Sequence, residues 1–110
     1  MFAELLTEIK GHRFEEKRTD IEDYFEGVLL METVPAVCTS LEKYFGKAFK
    51  PAGKAPSKDD DRRTSHLGGV MKNQILYYIE KENQSNCAML WPWQDGIRVT
   101  LKIAQGLLKR

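Results

Sequence analysis

Trp91-Pro92-Trp93 leads into Gln94-Asp95-Gly96, and an alternating run from Ile97 to Ile103 follows. Asp-Gly between two such runs marks a β-hairpin, and no other stretch of the chain constrains the fold as strongly. The turn sets the register, and a one-residue slip exchanges the two faces of a strand. A two-residue loop pairs Gln94 with Ile97 and places Trp91 and Trp93 on one face with Arg98, Thr100 and Lys102. It also makes Pro92 and Val99 a hydrogen-bonded pair, in which Pro92 has no N–H to give. A three-residue loop, with Gly96 left-handed as a bulge, pairs Trp93 with Ile97 instead. Met89, Trp91 and Trp93 then share a face with Ile97, Val99, Leu101 and Ile103, while Arg98, Thr100 and Lys102 lie opposite. The second register separates apolar from polar better and is the expected one.

A third strand, about Ile75 to Lys81, connects through the polar stretch Glu82-Asn83-Gln84-Ser85. Pairing Lys81 with Asn86 adds Leu76 and Tyr78 to the tryptophan face. Ile75, Tyr77 and Ile79 join Ala88, Leu90 and Pro92 on the other. That other face is mixed, apolar at one edge and cationic at the other through Arg98 and Lys102.

Upstream, Phe2, Leu5, Leu6 and Ile9 fall at i, i+3, i+4 and i+7, which predicts a short amphipathic helix stopping at Gly11. His12 to Asp20 is densely charged and reads as a solvated connector or a frayed helical extension. Asp20 to Glu32 fits either a helix or a buried strand. Gly27 is unwelcome inside a helix, and a fresh helix start follows at once, so the strand is favoured. Thr33 as cap, Pro35 in the first turn, the stripe Val34, Val37, Cys38, Leu41, Tyr44 and Phe45, and a stop at Gly46 define the second helix.

From Lys47 to Gly69 the chain reads as a long loop, with Lys47, Lys50, Lys54 and Lys58 spaced among Pro51, Gly53 and Pro56. Ser57, Asp59-Asp60-Asp61 and the later Arg62-Arg63 suit a short helix at 58–67. The expected class is therefore α+β: an antiparallel sheet of three to four strands with helices packed on one face, the tryptophan face.

Composition bounds the function classes. A chain of 110 residues, 42% hydrophobic and 30% charged, reads as one globular domain, 1–110. A net charge of +1 supplies no pull toward nucleic acid. The apolar runs are too short to span a bilayer, and Met1-Phe2-Ala3-Glu4 does not read as a signal peptide. Cys38 and Cys87 lack metal-ligand spacing, which suits a reduced, cytoplasmic compartment.

Candidate chemistries are thin. Gly46 to Ser57 lacks the Gly-Lys-Ser/Thr ending of a phosphate-binding loop. Adjacent Asp59, Asp60 and Asp61 diverge by about 100° per residue on a helix, and so do not converge on one cation. His12 and His66 both lie in polar, charged segments, and a Cys38–His66 nucleophile pair would place its thiol on an apolar stripe, where inert cysteines reside. Trp91 and Trp93 could stack on bases or sugars beside Arg98 and Lys102, but the expected register separates them.

The expectation is thus a binding or interaction domain without catalytic residues, cofactor or metal. It self-associates as a homodimer through an interaction face of Ile75, Tyr77, Ile79, Leu90, Arg98, Thr100 and Lys102. The N-terminal helix could cover that face instead, and a different protein partner ranks last. The alternative function is a small-ligand or enzymatic pocket between the sheet and the 47–69 loop.

Overall fold

The computed structural model describes residues 2–51, 53, 55, 57–58, 71–81 and 83–107. The elements run α1 (Phe2–Lys10), β1 (Glu16–Ile21), β2 (Tyr24–Leu30), a 3₁₀ turn (Met31–Thr33), α2 (Val34–Phe45), β3 (Ile75–Lys81), β4 (Gln84–Pro92) and β5 (Arg98–Leu107). The five strands form one sheet in the order β1-β2-β5-β4-β3, with every neighbouring pair antiparallel. The class is α+β, with five strands rather than three to four. The helix expected at 58–67, with Asp59 to Asp61 and His66, lies outside the described residues apart from Lys58.

β1 is the strand that the periodicity did not reveal. It occupies the charged stretch read as a connector, and five of its six residues are exposed. An edge strand with little to bury needs no apolar alternation, so only its ladder to β2 identifies it. The ladder is interrupted between Lys17 and Thr19, a bulge that leaves Arg18 as the extra residue. β2 is the strand favoured for the following segment. Gly27 is required there, because a Cβ would lie 2.8 Å from the Phe14 ring and 3.2 Å from the Glu16 carbonyl oxygen. Phe14 in turn packs edge-on against Phe25, with ring centroids 5.2 Å apart.

α1 buries Phe2, Leu5, Leu6 and Ile9, and α2 buries Val37, Ser40, Leu41 and Phe45. Their apolar side chains join Phe25, Leu29, Tyr77, Leu90, Leu101 and Ile103 in the main cluster. Each such side chain contributes about 2 kcal/mol relative to an exposed position. Thr33 does not cap α2: it is helical itself and its side chain makes no cap bond, because the 3₁₀ turn runs straight into the helix. Gly46, at φ +80°, ends α2 and donates its N–H to the Glu42 carbonyl at 2.9 Å. Neither described helix is long and apolar enough to cross a membrane.

The β4–β5 register overturns the expected face assignment. Trp91 pairs with Thr100 and Pro92 with Val99, so Val99, Leu101 and Ile103 lie with Leu90 and Ala88. β3–β4 keeps the expected faces, with Leu76 opposite Met89 and Ile75 opposite Leu90, although Lys81 pairs with Gln84. The helices therefore cover the face opposite the tryptophans.

The physical reason lies in the turn. Trp93 N–H donates to the Arg98 carbonyl at 2.8 Å, which closes a four-residue loop from Gln94 to Ile97. Hydrogen-bonded pairs alternate along an antiparallel ladder, so Pro92–Val99 becomes a pair that exchanges no bonds. The proline conflict that disfavoured this pairing disappears. Asp95 holds the loop: its Oδ1 accepts the N–H groups of Ile97 (2.8 Å) and Arg98 (3.0 Å), and its Oδ2 the Arg98 guanidinium (2.8 Å).

These donors, the Arg98 N–H foremost, hold the Asp95 carboxyl below its ordinary range. A carboxyl whose pKa is lower folded than unfolded stabilises the fold above its unfolded pKa. That stability is lost as pH falls through the folded value. Wild-type unfolding midpoints in urea are expected to fall on acidification below the ordinary aspartate range, and Asp95→Ala to show a shallower decline. Equal slopes would remove Asp95 from the account.

The start of the expected loop is also structured. Phe49 N–H and Lys50 N–H both donate to the Leu76 carbonyl (2.8 and 3.0 Å), and Leu76 N–H donates back to Lys50 (2.9 Å). Lys50, one of the lysines spaced through the expected loop, is fully buried. Its ammonium donates to the carbonyls of Pro51 (3.1 Å), Lys72 (3.1 Å) and Gln74 (2.6 Å).

Candidate functional site

The structure divides the expected interaction face. Ile75, Tyr77, Ile79 and Leu90 belong to the core beneath the helices, and α1 takes part in covering them. Arg98, Thr100 and Lys102 lie on the other face, beside Trp91 and Trp93. No described helix packs on that face. The aromatic–cation pairing that the expected register dissolved is therefore present.

Period two along each strand brings the site together. β4 supplies Trp91, and its extension supplies Trp93. β5 supplies Arg98, Thr100 and Lys102, and β2 supplies Tyr24 and Glu26 opposite Ala104 and Lys102. Lys102 Nζ stands 3.6 Å from the Trp91 ring centroid. The guanidinium carbons of Arg18 and Arg98 each lie 5.7 Å from the Trp93 ring. The β1 bulge is what supplies Arg18, a residue that no sequence signal pointed to.

Hydrogen bonds fix most of these groups. Trp93 Nε1–H donates to Thr100 Oγ1 at 2.8 Å. Arg18 donates through Nε to Glu16 (2.6 Å) and through a terminal nitrogen to Glu26 (3.5 Å). Tyr24 O–H donates to the same Glu26 carboxylate at 2.6 Å, and burial followed by that carboxylate pushes the phenol's pKa up. Trp91 is the exception: its Nε1 is buried and has no hydrogen-bond partner among the described residues. Beneath Trp91 lies a small second cluster of Leu76, Cys87 and Met89.

The surface is apolar with interleaved charge. Trp93 (36% exposed) and Ile21 (57%) are among its outermost apolar groups. Both arginines already hold carboxylates, Arg18 through Glu16 and Glu26 and Arg98 through Asp95. A phosphate would have to displace these partners, which weighs against nucleic acid as the ligand.

Nucleophilic chemistry finds little support. Burial pushes the Cys87 thiol up to about 11, and raises the Cys38 thiol as well. Both remain protonated near neutrality and unsuited to attack. His12 Nε2 lies 2.8 Å from Ser40 Oγ in the groove between α1 and α2, and Glu8 also bonds that hydroxyl. Ser40 sits in the middle of α2, where the helix's own N–H groups are engaged in its hydrogen bonds and do not supply oxyanion donors. Among the described residues no group of three His, Cys, Asp or Glu side chains could hold a metal ion. No protein-family model, curated protein or solved structure matches the chain.

Proposed function

We propose that the chain is a non-enzymatic binding domain that self-associates as a homodimer through the tryptophan face of its sheet. The observation that carries this reading is Trp93: an indole left 36% exposed, flanked by Arg18 and Arg98, on a face without a described helix. Tryptophan and arginine are the residues most often found as interface anchors.

A second copy suits the charge pattern. An isologous contact sets a patch against itself, so a patch of one sign would repel its twin. Here cations and carboxylates alternate, through Arg18 with Glu16 and Glu26, and Arg98 with Asp95. The sheet edges favour a face-to-face arrangement over strand addition. β1 carries a bulge and a dense run of charges, and Phe49-Lys50 already occupies β3 at Leu76. The rival, a small-ligand pocket beside the 47–69 loop, has less support. Its described part is a concavity of about 490 Å³ whose lining includes Gly53, Met71, Lys72 and Asn73, with Lys72 the one ionisable group among them.

Sedimentation across a concentration series tests the proposal. The wild type is expected to be dimeric, and Trp93→Ala to weaken association about thirtyfold, the effect of removing a strong interface anchor. Far-ultraviolet circular dichroism should show the variant still folded. A wild type that stays monomeric up to about 1 mM, weaker than any specific assembly of this kind, overturns it.

A further inference from the structure

Resting on the self-association reading, we infer that the exposed edge of Trp93 seats in a concavity at the far end of the same face of the second copy. Period two places Tyr24, Ser85, Cys87, Ala104 and Gly106 on the tryptophan face. They belong to the lining of a concavity of about 210 Å³. Three small residues, Ser85, Ala104 and Gly106, leave this space, with the Tyr24 ring beside them. It is room for a ring rather than for a water or two.

A projection and a hollow at opposite ends of one face are what an isologous contact can use twice. Trp93 lies six residues from Cys87 along β4 and its extension, about 20 Å at a strand's rise. A twofold axis lying in the interface crosses the strands near Met89 and Lys102, which are ladder partners. It carries the Trp93 of each copy over the concavity of the other. Sheets packed this way keep their strands aligned, about 10 Å apart. Trp93 Nε1–H is already bonded to Thr100, so the indole keeps its polar edge satisfied within its own chain and offers an apolar one. The charges agree as well. Arg18 and Arg98 flank Trp93, while Asp23 belongs to the lining of the concavity and Glu80 pairs with Ser85 at its edge. A guanidinium has five N–H donors, so both arginines can keep their own carboxylates and meet those of the twin.

The test sets two impaired copies against each other. Gly106→Val fills the concavity. Gly106 has no positive φ, and a Cβ there meets only Ser85 Oγ, at 4.0 Å, so the urea midpoint of the monomer, read under dissociating dilution, should equal or exceed that of the wild type. In sedimentation, Gly106→Val alone should weaken association about thirtyfold, as Trp93→Ala does. Each of these variants, paired with itself, has both contacts impaired. A mixed pair keeps one: Trp93 of the Gly106→Val chain in the open concavity of the Trp93→Ala chain. Mixing is therefore expected to tighten association about fivefold over either variant alone. The wild type gives a readout that needs no variant. Nuclear Overhauser contacts are expected between the Trp93 ring and the Ala104 methyl group, which lie about 20 Å apart within one chain and can meet only between copies. No gain on mixing, or a dimer without that contact, overturns this inference and leaves self-association standing. A wild type that never dimerises overturns both.

Discussion

Leu90→Asp is expected to unfold the protein rather than yield a folded monomer. Leu90 is 1% exposed and lies in the cluster shared by α1, α2 and the sheet. The substitution removes a buried apolar side chain and sets a carboxylate with no partner in its place. Such changes cost more than about 4 kcal/mol, which is most of the stability of a small domain. Leu90→Ala, which only opens a cavity, should lower stability by about 2–5 kcal/mol and stay folded. Urea denaturation followed by circular dichroism separates the two. A Leu90→Asp chain with a wild-type midpoint would mean that Leu90 faces solvent, and would remove the helices from that face. The same residue seemed, from the sequence, to lie at the centre of an interface, and the register at the Asp95 loop is what moved it inside.

Lys50→Met should be the second large effect, at about 3 kcal/mol. Methionine keeps most of the apolar stem, so the lost quantity is the ammonium that bonds the carbonyls of Pro51, Lys72 and Gln74. Each buried acceptor left without a donor costs about 1–3 kcal/mol before relaxation. Hydrogen exchange should show the loss first at Gly53 and Leu76, whose N–H groups bond Lys72 and Lys50. Equal stability and unchanged exchange would mean that water replaces the ammonium at no cost. The sequence shows Lys50 only as one of the lysines spaced through a long loop, because a lysine among prolines and glycines carries no sign of its own burial. Only the convergence of two distant backbone stretches creates its acceptors.

The elements with a periodic face were legible. α1, α2, β3 and the β4–β5 hairpin fall where the apolar spacing puts them, and Gly46 and Gly11 end the helices as expected. β1 was not, since an exposed edge strand buries too little to leave a pattern. The site was half legible. Trp91, Trp93, Arg98 and Lys102 stood out as a group, and then an incorrect turn length dispersed them across two faces. The Asp95 side chain makes three bonds that stabilise a four-residue loop, a choice that the Asp-Gly signal alone does not specify.

For the segments with a periodic apolar face, the sequence by itself determined which are helix or strand and which residues within each strand share a face. Those properties follow from spacing along one segment, through periods of 3.6 and two. It did not determine how the faces of neighbouring strands join, because one residue of loop length reverses that relation while leaving every local pattern intact. The tertiary structure decided the rest: that β5 inserts between β2 and β4, that Leu90 and Tyr77 lie under the helices, that Lys50 is caged, and that Arg18 reaches Trp93. Each depends on segments far apart in the chain meeting at fixed distances, and such meetings are set by the packing of the whole core.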